Sequence, residues 1–359
     1  MPHRRTLVLV FFLLLTGCAT PLPENAPLQV LVPVLYATNR SLGDTETGNV
    51  HYTTARGPMT FGSASVALST RKEGDSPFAD WTRWQPRQDG AQNRNELLHV
   101  EPLDADDFDA LIARKTETDG AQAVMLYVHG FRRDFDIVAL ETAAIAYETS
   151  LSGIPMFFSW PSANSVFSYV SDITNMRWAA ADLRDTLKYL LNEPNVATVH
   201  LIAHSLGGSG LLEALDDLAQ DGSVPTDKLG EVVLSSPDVD SDLFRRDYLP
   251  VLRKLGVRVT LYITDSDVPL QASHRVNGVN RLGDARPEIF IADGVETVVF
   301  SDVVSILNSH DAHVEIGDLQ ADLHYLIEER RGASQRPTLE AVESESGRFW
   351  RAQPFSDKH

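Results

Sequence analysis

Apolar and polar positions divide the chain into two unlike parts. From residue 30 to about 118 the signals are mixed. "VLVPVLYATNR" (30–40) reads as a strand ending at Asn39-Arg40, "SASVALS" (63–69) alternates like a strand, and "ELLHVEPL" (96–103) has strand composition. "DSPFADWTRWQPRQDGAQNRN" between them is loop-like. "DADDFDALIARK" (104–115) opens with acids and closes with bases, which suits a helix and its dipole. After Gly120 the pattern becomes regular. "AVMLYVHG", "IPMFFSWP", "ATVHLIAH", "EVVLSSPD", "VRVTLYITD" and "ETVVFSDVV" are short apolar runs stopped by Gly, Pro, Asp or Ser. Continuous apolar runs of this length predict strands buried on both faces.

Helical spacing fills the gaps. "TNMRWAAADLRDTLKYLLNE" puts Ala179, Leu183, Leu187, Leu190 and Leu191 on one stripe, and "DFDIVALETAAIAYETS", "SLGGSGLLEALDDLAQDG", "DLFRRDYLPVLRKLG" and "GDLQADLHYLIEERR" repeat the theme. Strand-helix alternation predicts an α/β fold: a mostly parallel sheet with helices on both faces. The expected division is a body over 31–330, with an irregular N-terminal extension over 31–118, and a polar, disordered tail over 331–359.

The first residues follow another logic. Arg4 and Arg5 precede a ten-residue apolar run, Thr6–Leu15. That is half of the roughly 20 residues a spanning helix needs, so it reads as an export signal. Leu15-Thr16-Gly17-Cys18 resembles a bacterial lipoprotein lipobox, and Cys18 is the one cysteine in the chain. The resemblance implies a signal peptide over 1–17, lipidation of Cys18, and a Pro-rich tether over 18–30. Several acyl chains would anchor such a protein firmly to a membrane. Ala19 after the cysteine implies sorting to the outer membrane of the bacterial envelope, facing the periplasm. The mature body would then carry neither thiol nor disulfide.

Charge narrows the partners. Fifty acids against 31 bases give −19 over 359 residues. Phosphate binding needs clustered Lys and Arg, so nucleic acid is excluded as a partner. Nothing in the sequence sets an oligomeric state.

Sites in open parallel sheets form beyond the carboxyl ends of the strands. Four sets of reactive residues lie there. Ser205 follows "ATVHLIA" and heads a helix, with Ala203 two before it and Gly207 two after. A nucleophile elbow needs tiny side chains at both positions, and alanine meets that need as glycine does. Ser65 has small neighbours too, but sits inside an alternating run with no helix after it. His129-Gly130-Phe131 ends the first regular strand, where a glycine turn can aim the Phe131 amide, opposite that of Leu206, at a developing oxyanion. An acid to orient a base is offered by Asp265, Asp267 or Asp238. His310 and His313 follow the last strand, His310 nearer to it; His274 and His324 are fallback bases. The His310-x-x-His313 spacing with Asp311 is also a zinc pattern, but no further cysteine joins it, and neither metal nor cofactor is expected. The order serine, acid, histidine is that of α/β-hydrolases.

"YATNR", "LYVHGFRRDFD", "FFSWPS", "YVSD", "LIAHSLGG", "SSPDVDSDLF", "VTLYITDSDVPL", "GVETVVF" and "NSHDAH" together resemble the bacterial α/β-hydrolases of the domain-of-unknown-function 900 family, from about Val32 to His313. That family's elbow is typically Ala-His-Ser-Met-Gly; here Leu206 replaces Met. Its acid motif ends in Asp-x-Ala-Leu, which falls on Asp267-Val268-Pro269-Leu270 and favours Asp267. Its histidine motif, Gly-His-Ser-Tyr, is Ser309-His310-Asp311-Ala312 here. The resemblance implies an esterase- or lipase-like serine hydrolase. Ser205, Asp267 and His310 would be its triad, Phe131 and Leu206 its oxyanion donors, and a small or lipid-like acyl ester its substrate. The competing reading is an idle hydrolase fold serving as an envelope binding module; retention of serine, acid and base speaks for the enzyme.

Overall fold

Apolar runs that can be buried on both faces assemble into one sheet. The computed structural model describes residues 28–43, 50–70, 95–120, 122–222, 224–264, 280–300 and 317–353. In chain order the strands are β1 (Leu28–Leu42), β2 (Tyr52–Thr70), β3 (Glu96–Leu103), β4 (Ala123–Val128), β5 (Ile154–Ser159), β6 (Thr198–His204), β7 (Leu229–Ser235), β8 (Val259–Thr264), β9 (Val295–Phe300), β10 (Leu339–Ser344) and β11 (Gly347–Ala352). Their spatial order is β10-β11-β9-β8-β7-β6-β4-β5-β1-β2-β3. From β11 to β1 every pairing is parallel. Both edges are antiparallel.

Helices cover both faces. On one lie α1 (Ala105–Asp119), α3 (Tyr169–Asn192), α4 (Leu206–Asp221) and α6 (Leu249–Leu255), whose Phe108, Leu183, Leu187, Leu211, Leu215 and Leu252 pack on Leu126, Met156 and Leu201. On the other lie α2 (Phe135–Glu148) and α7 (Gly317–Ile327), whose Val138, Ile145, Leu319 and Leu323 pack on Met125, Tyr127, Phe157 and Val233. A short helix α5 (Ser241–Leu243) and a π-turn over Phe244–Tyr248 lead into α6. No helix among the described residues is long and apolar enough to cross a membrane.

Two stretches differ from expectation. The described residues of 31–118 are not an irregular extension but carry the sheet onward: β1 runs parallel to β5, and β2 and β3 follow antiparallel. In β2, Ala64, Val66 and Leu68 are buried while Ser63 and Ser65 are half-buried, so Ser65 is a strand residue. The stretch expected to be a disordered tail is ordered from Ala333 to Ala352. It forms a 3₁₀ turn and the hairpin β10–β11, and β11 pairs with β9. The cause is a buried charge cluster. Asp322 of α7 accepts hydrogen bonds from Arg336 (2.7 Å), Tyr262 (2.6 Å) and Thr338 (2.5 Å), and Arg336 also pairs with Glu296 (3.0 Å). A buried carboxylate needs its lone pairs filled, and besides Tyr262 of β8 this one takes its partners from the stretch after α7.

The topology fixes where a site can form. The chain steps from β4 to β5 on one side, then crosses back over β4 to β6 on the other. The carboxyl ends of β4 and β6 are therefore a topological switch point, where a crevice opens.

Candidate active site

Ser205 stands at that crevice. It joins β6 to α4 with φ 50° and ψ −123°. Non-glycine residues rarely adopt such angles, and holding one there costs about 1–3 kcal/mol. Three backbone bonds hold it: Ser205 donates to the Ser235 carbonyl (3.0 Å), and its own carbonyl accepts from Gly208 (3.0 Å) and Asp238 (3.1 Å). The sharp turn brings backbones together. A Cβ on Gly207 would lie 2.6 Å from the Val128 carbonyl oxygen and closer still to that of His129. A Cβ on Gly130 would lie 3.0 Å from the Ser205 Cβ. Ala203 is wholly buried. The small residues of the motif thus let α4 and the turn after β4 close onto the serine.

That turn, residues 129–133, is fixed at nearly every polar group. The Trp160 amide donates to His129 Nε2 (3.1 Å), so His129 carries its proton on Nδ1 and donates it to the Gly130 carbonyl (2.8 Å). In a trans peptide the carbonyl and the following N–H point opposite ways. Tying down the Gly130 carbonyl therefore directs the Phe131 N–H away from His129. Arg132, at φ 59°, donates its amide to Ser162 Oγ (2.9 Å), which in turn donates to Asp172 (2.8 Å). The Arg133 side chain pairs with buried Glu141 (2.6 Å), and its carbonyl accepts from Arg40 (2.6 Å). Among the described residues, neither the Phe131 nor the Leu206 amide donates a hydrogen bond. Two amides without a partner among the described residues thus flank the elbow serine, an arrangement able to hold a developing oxyanion.

Sequence reasoning missed several of these supports. Arg40 is fully buried at the end of β1, and besides Arg133 it donates to Ser159 Oγ (2.8 Å) and to the Ser162 carbonyl (3.4 Å). Burial is the main influence on this guanidinium, lowering its pKa to about 10. Asp172, in the "YVSD" segment, receives Ser162 and the Ala163 amide (3.0 Å). No local periodicity marks Arg40, because these partners lie 93 to 122 positions away.

Asp238, one of the three candidate acids, is buried beside the elbow. Its Oδ2 accepts from the Tyr169 hydroxyl (2.5 Å) and its Oδ1 pairs with Arg281 (3.2 Å). The Tyr169 ring in turn meets the Phe131 ring edge-on, with centroids 5.6 Å apart. Asp238 is thus a brace between α3, the elbow and the strip around Arg281. Asp265, Asp267, His274, His310, His313 and Cys18 lie outside the described residues. The chain reaches the acid and histidine segments from the carboxyl ends of β8 (Thr264) and β9 (Phe300), on the same side of the sheet as Ser205.

The described fallback base, His324, is far from this place. It sits in α7 with Nδ1 2.7 Å from the Thr149 carbonyl, just past the end of α2. Because α2 runs back from the carboxyl end of β4, its end lies at the opposite edge of the sheet from Ser205. His129 and His204 are buried and held neutral, well below the usual imidazole range, mainly by desolvation; neighbouring arginines push the same way. His200 behaves alike: burial first, then Arg330 and Arg258, lowers it to about 4. Unfolded, it titrates near 6.5. Between these values the unfolded chain binds a proton that the folded chain does not. Its contribution is complete above about pH 6.5 and is lost as pH falls toward 4. His200→Gln is expected to flatten the fall in stability by about 1.4 kcal/mol per pH unit, read from urea midpoints across that window. An unchanged slope would place the titration elsewhere.

Comparison with known proteins follows the same outline. A family model described as "Alpha/beta hydrolase of unknown function (DUF900)" matches residues 104–313. Among curated proteins, none matches the sequence significantly. Similar solved structures include an uncharacterized protein from Bacillus cereus ATCC 10987 (14% identity, 62% of this chain and 67% of that one, TM-score 0.37). Another is LpqC, the poly(3-hydroxybutyrate) depolymerase of Bordetella parapertussis (14%, 59% and 80%, 0.33). A third is the acylaminoacyl peptidase of Pyrococcus horikoshii (11%, 81% and 56%, 0.33), of which this chain spans little more than half. These likenesses say nothing about substrate.

Proposed function

The chain belongs to the DUF900 family of α/β-hydrolases, and on that premise we propose that it is a serine hydrolase acting on carboxylic esters through an acyl-enzyme. The observation that carries this reading is Ser205 in a strained elbow beside two amides that donate to no described residue. In the proposed reaction Ser205 Oγ attacks the ester carbonyl while His310 takes the hydroxyl proton. Asp267 holds His310 in the right tautomer and offsets the imidazolium charge. The Phe131 and Leu206 amides bind the tetrahedral oxyanion. Collapse breaks the bond to the leaving oxygen, which takes the proton from His310 and departs as the alcohol. Water then attacks the acyl-enzyme, again giving its proton to His310, and Ser205 leaves with that proton as the acid is released. These steps need no cofactor.

A fluorophosphonate probe tests the reading directly. The full chain is expected to form one covalent adduct, which peptide mass spectrometry places on Ser205. Absence of an adduct would leave the fold as a binding module only, and an adduct that persists in Ser205→Ala would assign the nucleophile to another residue.

A further inference from the structure

Arginines that this fold takes out of water are given partners, with one exception. Among the described residues, Arg133 bonds to Glu141, Arg281 to Asp238 and Arg336 to Asp322, and the half-buried arginines at 184, 258 and 331 also meet carboxylates. Arg40 donates to carbonyls and a hydroxyl. Arg132, half-buried in the turn after β4, is different: among the described residues its side chain makes no hydrogen bond and no ion pair. Its Nε is sealed from solvent without a partner, while its two Nη atoms, equally without one, still reach solvent. Taking a cation partly out of water unpaired is costly, in a chain whose 50 acids could have supplied a carboxylate. The backbone adds a second cost, because at φ 59° asparagine or glycine is less strained than arginine. Nothing described in the fold offsets either cost, which points to a use for this side chain outside the fold.

Its place narrows that use. Arg132 is one peptide step, about 3.8 Å between Cα atoms, beyond Phe131, whose amide flanks Ser205. Even fully extended, its side chain keeps the guanidinium within a short aliphatic chain's length of that amide. With Nε sealed, the open edge is the fork of Nη1 and Nη2. Such a fork offers two parallel N–H donors, the match of a planar carboxylate.

We propose that the Arg132 fork binds a carboxylate carried by the substrate, so that the ester preferred at Ser205 is acidic rather than neutral and Arg132 sets that preference. The proposal rests on the serine-hydrolase reading. A protein of net charge −19 repels anions at long range, so an acidic substrate needs a local cation. Arg132 supplies one whose charge no bonded carboxylate offsets among the described residues.

The test compares matched esters on the full-length protein. With the acid on the acyl side, the pair is p-nitrophenyl hydrogen adipate and p-nitrophenyl hexanoate. With the acid on the leaving side, it is 4-carboxyphenyl hexanoate and 4-carbamoylphenyl hexanoate. In at least one pair, wild type is expected to favour the acidic member in kcat/KM by about tenfold, chiefly through a lower KM. That preference is expected to vanish in Arg132→Gln and in Arg132→Asn, the second of which also suits the backbone angle and so retains the fold. A ratio is read because any loss of folded protein cancels from it. A ratio unchanged by both substitutions overturns the assignment. So does a wild type that forms the Ser205 adduct yet favours the acidic member of neither pair, and in that case the hydrolase reading stands. A wild type without the adduct overturns both.

Discussion

Ser205→Ala is expected to lower turnover of p-nitrophenyl esters by about 10⁴-fold or more, with substrate binding little changed. Alanine removes Oγ and nothing else from the elbow, so the Phe131 and Leu206 amides stay in place. The residue of activity should reflect those amides acting on a water-borne reaction. The backbone supplies an independent check on the geometry. At φ 50° alanine is as strained as serine, whereas glycine is not. Ser205→Gly should therefore be as inactive as Ser205→Ala, yet more stable by about 1 kcal/mol in urea unfolding. Equal stability of the two would mean that the elbow is relaxed. Near-wild-type turnover in either would assign the nucleophile to another residue.

Gly207→Ala is expected to cost about 3 kcal/mol or more in stability, and to lower kcat about 100-fold in whatever protein folds. The added methyl would meet two carbonyl oxygens of the chain leaving β4, those of Val128 and His129. Backbone at the centre of a sheet cannot swing aside, so α4 must lift, and the Leu206 amide must move away from that of Phe131. Gly210 offers the contrast. The atoms nearest to a methyl there all belong to the Met176 side chain, whose flexible thioether can yield. Gly210→Ala should therefore unfold at a urea concentration close to wild type. If both substitutions cost the same, close approach of α4 to β4 is not what the glycine provides.

These effects were readable from the sequence to different depths. Strands β4 to β9 announced themselves because each is buried on both faces, leaving an unbroken apolar run. Ser205 was legible because the elbow's steric demand is local: Ala203 and Gly207 satisfy it within five residues. Strand β2 was only partly legible, since its one-sided burial spreads over Ala64, Val66 and Leu68 among serines. The hairpin after Arg331 read as tail because "LEAVES" presents mostly exposed positions. What orders it is the Asp322–Arg336 pair and the pairing of Trp350 with Val298, neither of which a window of sequence contains. Arg40 and Arg133 are 93 positions apart, and Tyr169 and Asp238 are 69. Support of that kind arises only once the crossover has folded.

The hairpin also bears on the order of synthesis. Strand β9 (Val295–Phe300) leads into the histidine segment, and its outer neighbour, β11, starts only at Gly347, after α7 and Arg336. A nascent chain that has not yet reached Gly347 therefore has β9 as an open parallel edge, with the Arg336 cluster unformed until α7 has passed. The strand nearest the proposed base is thus the last to gain both of its partners.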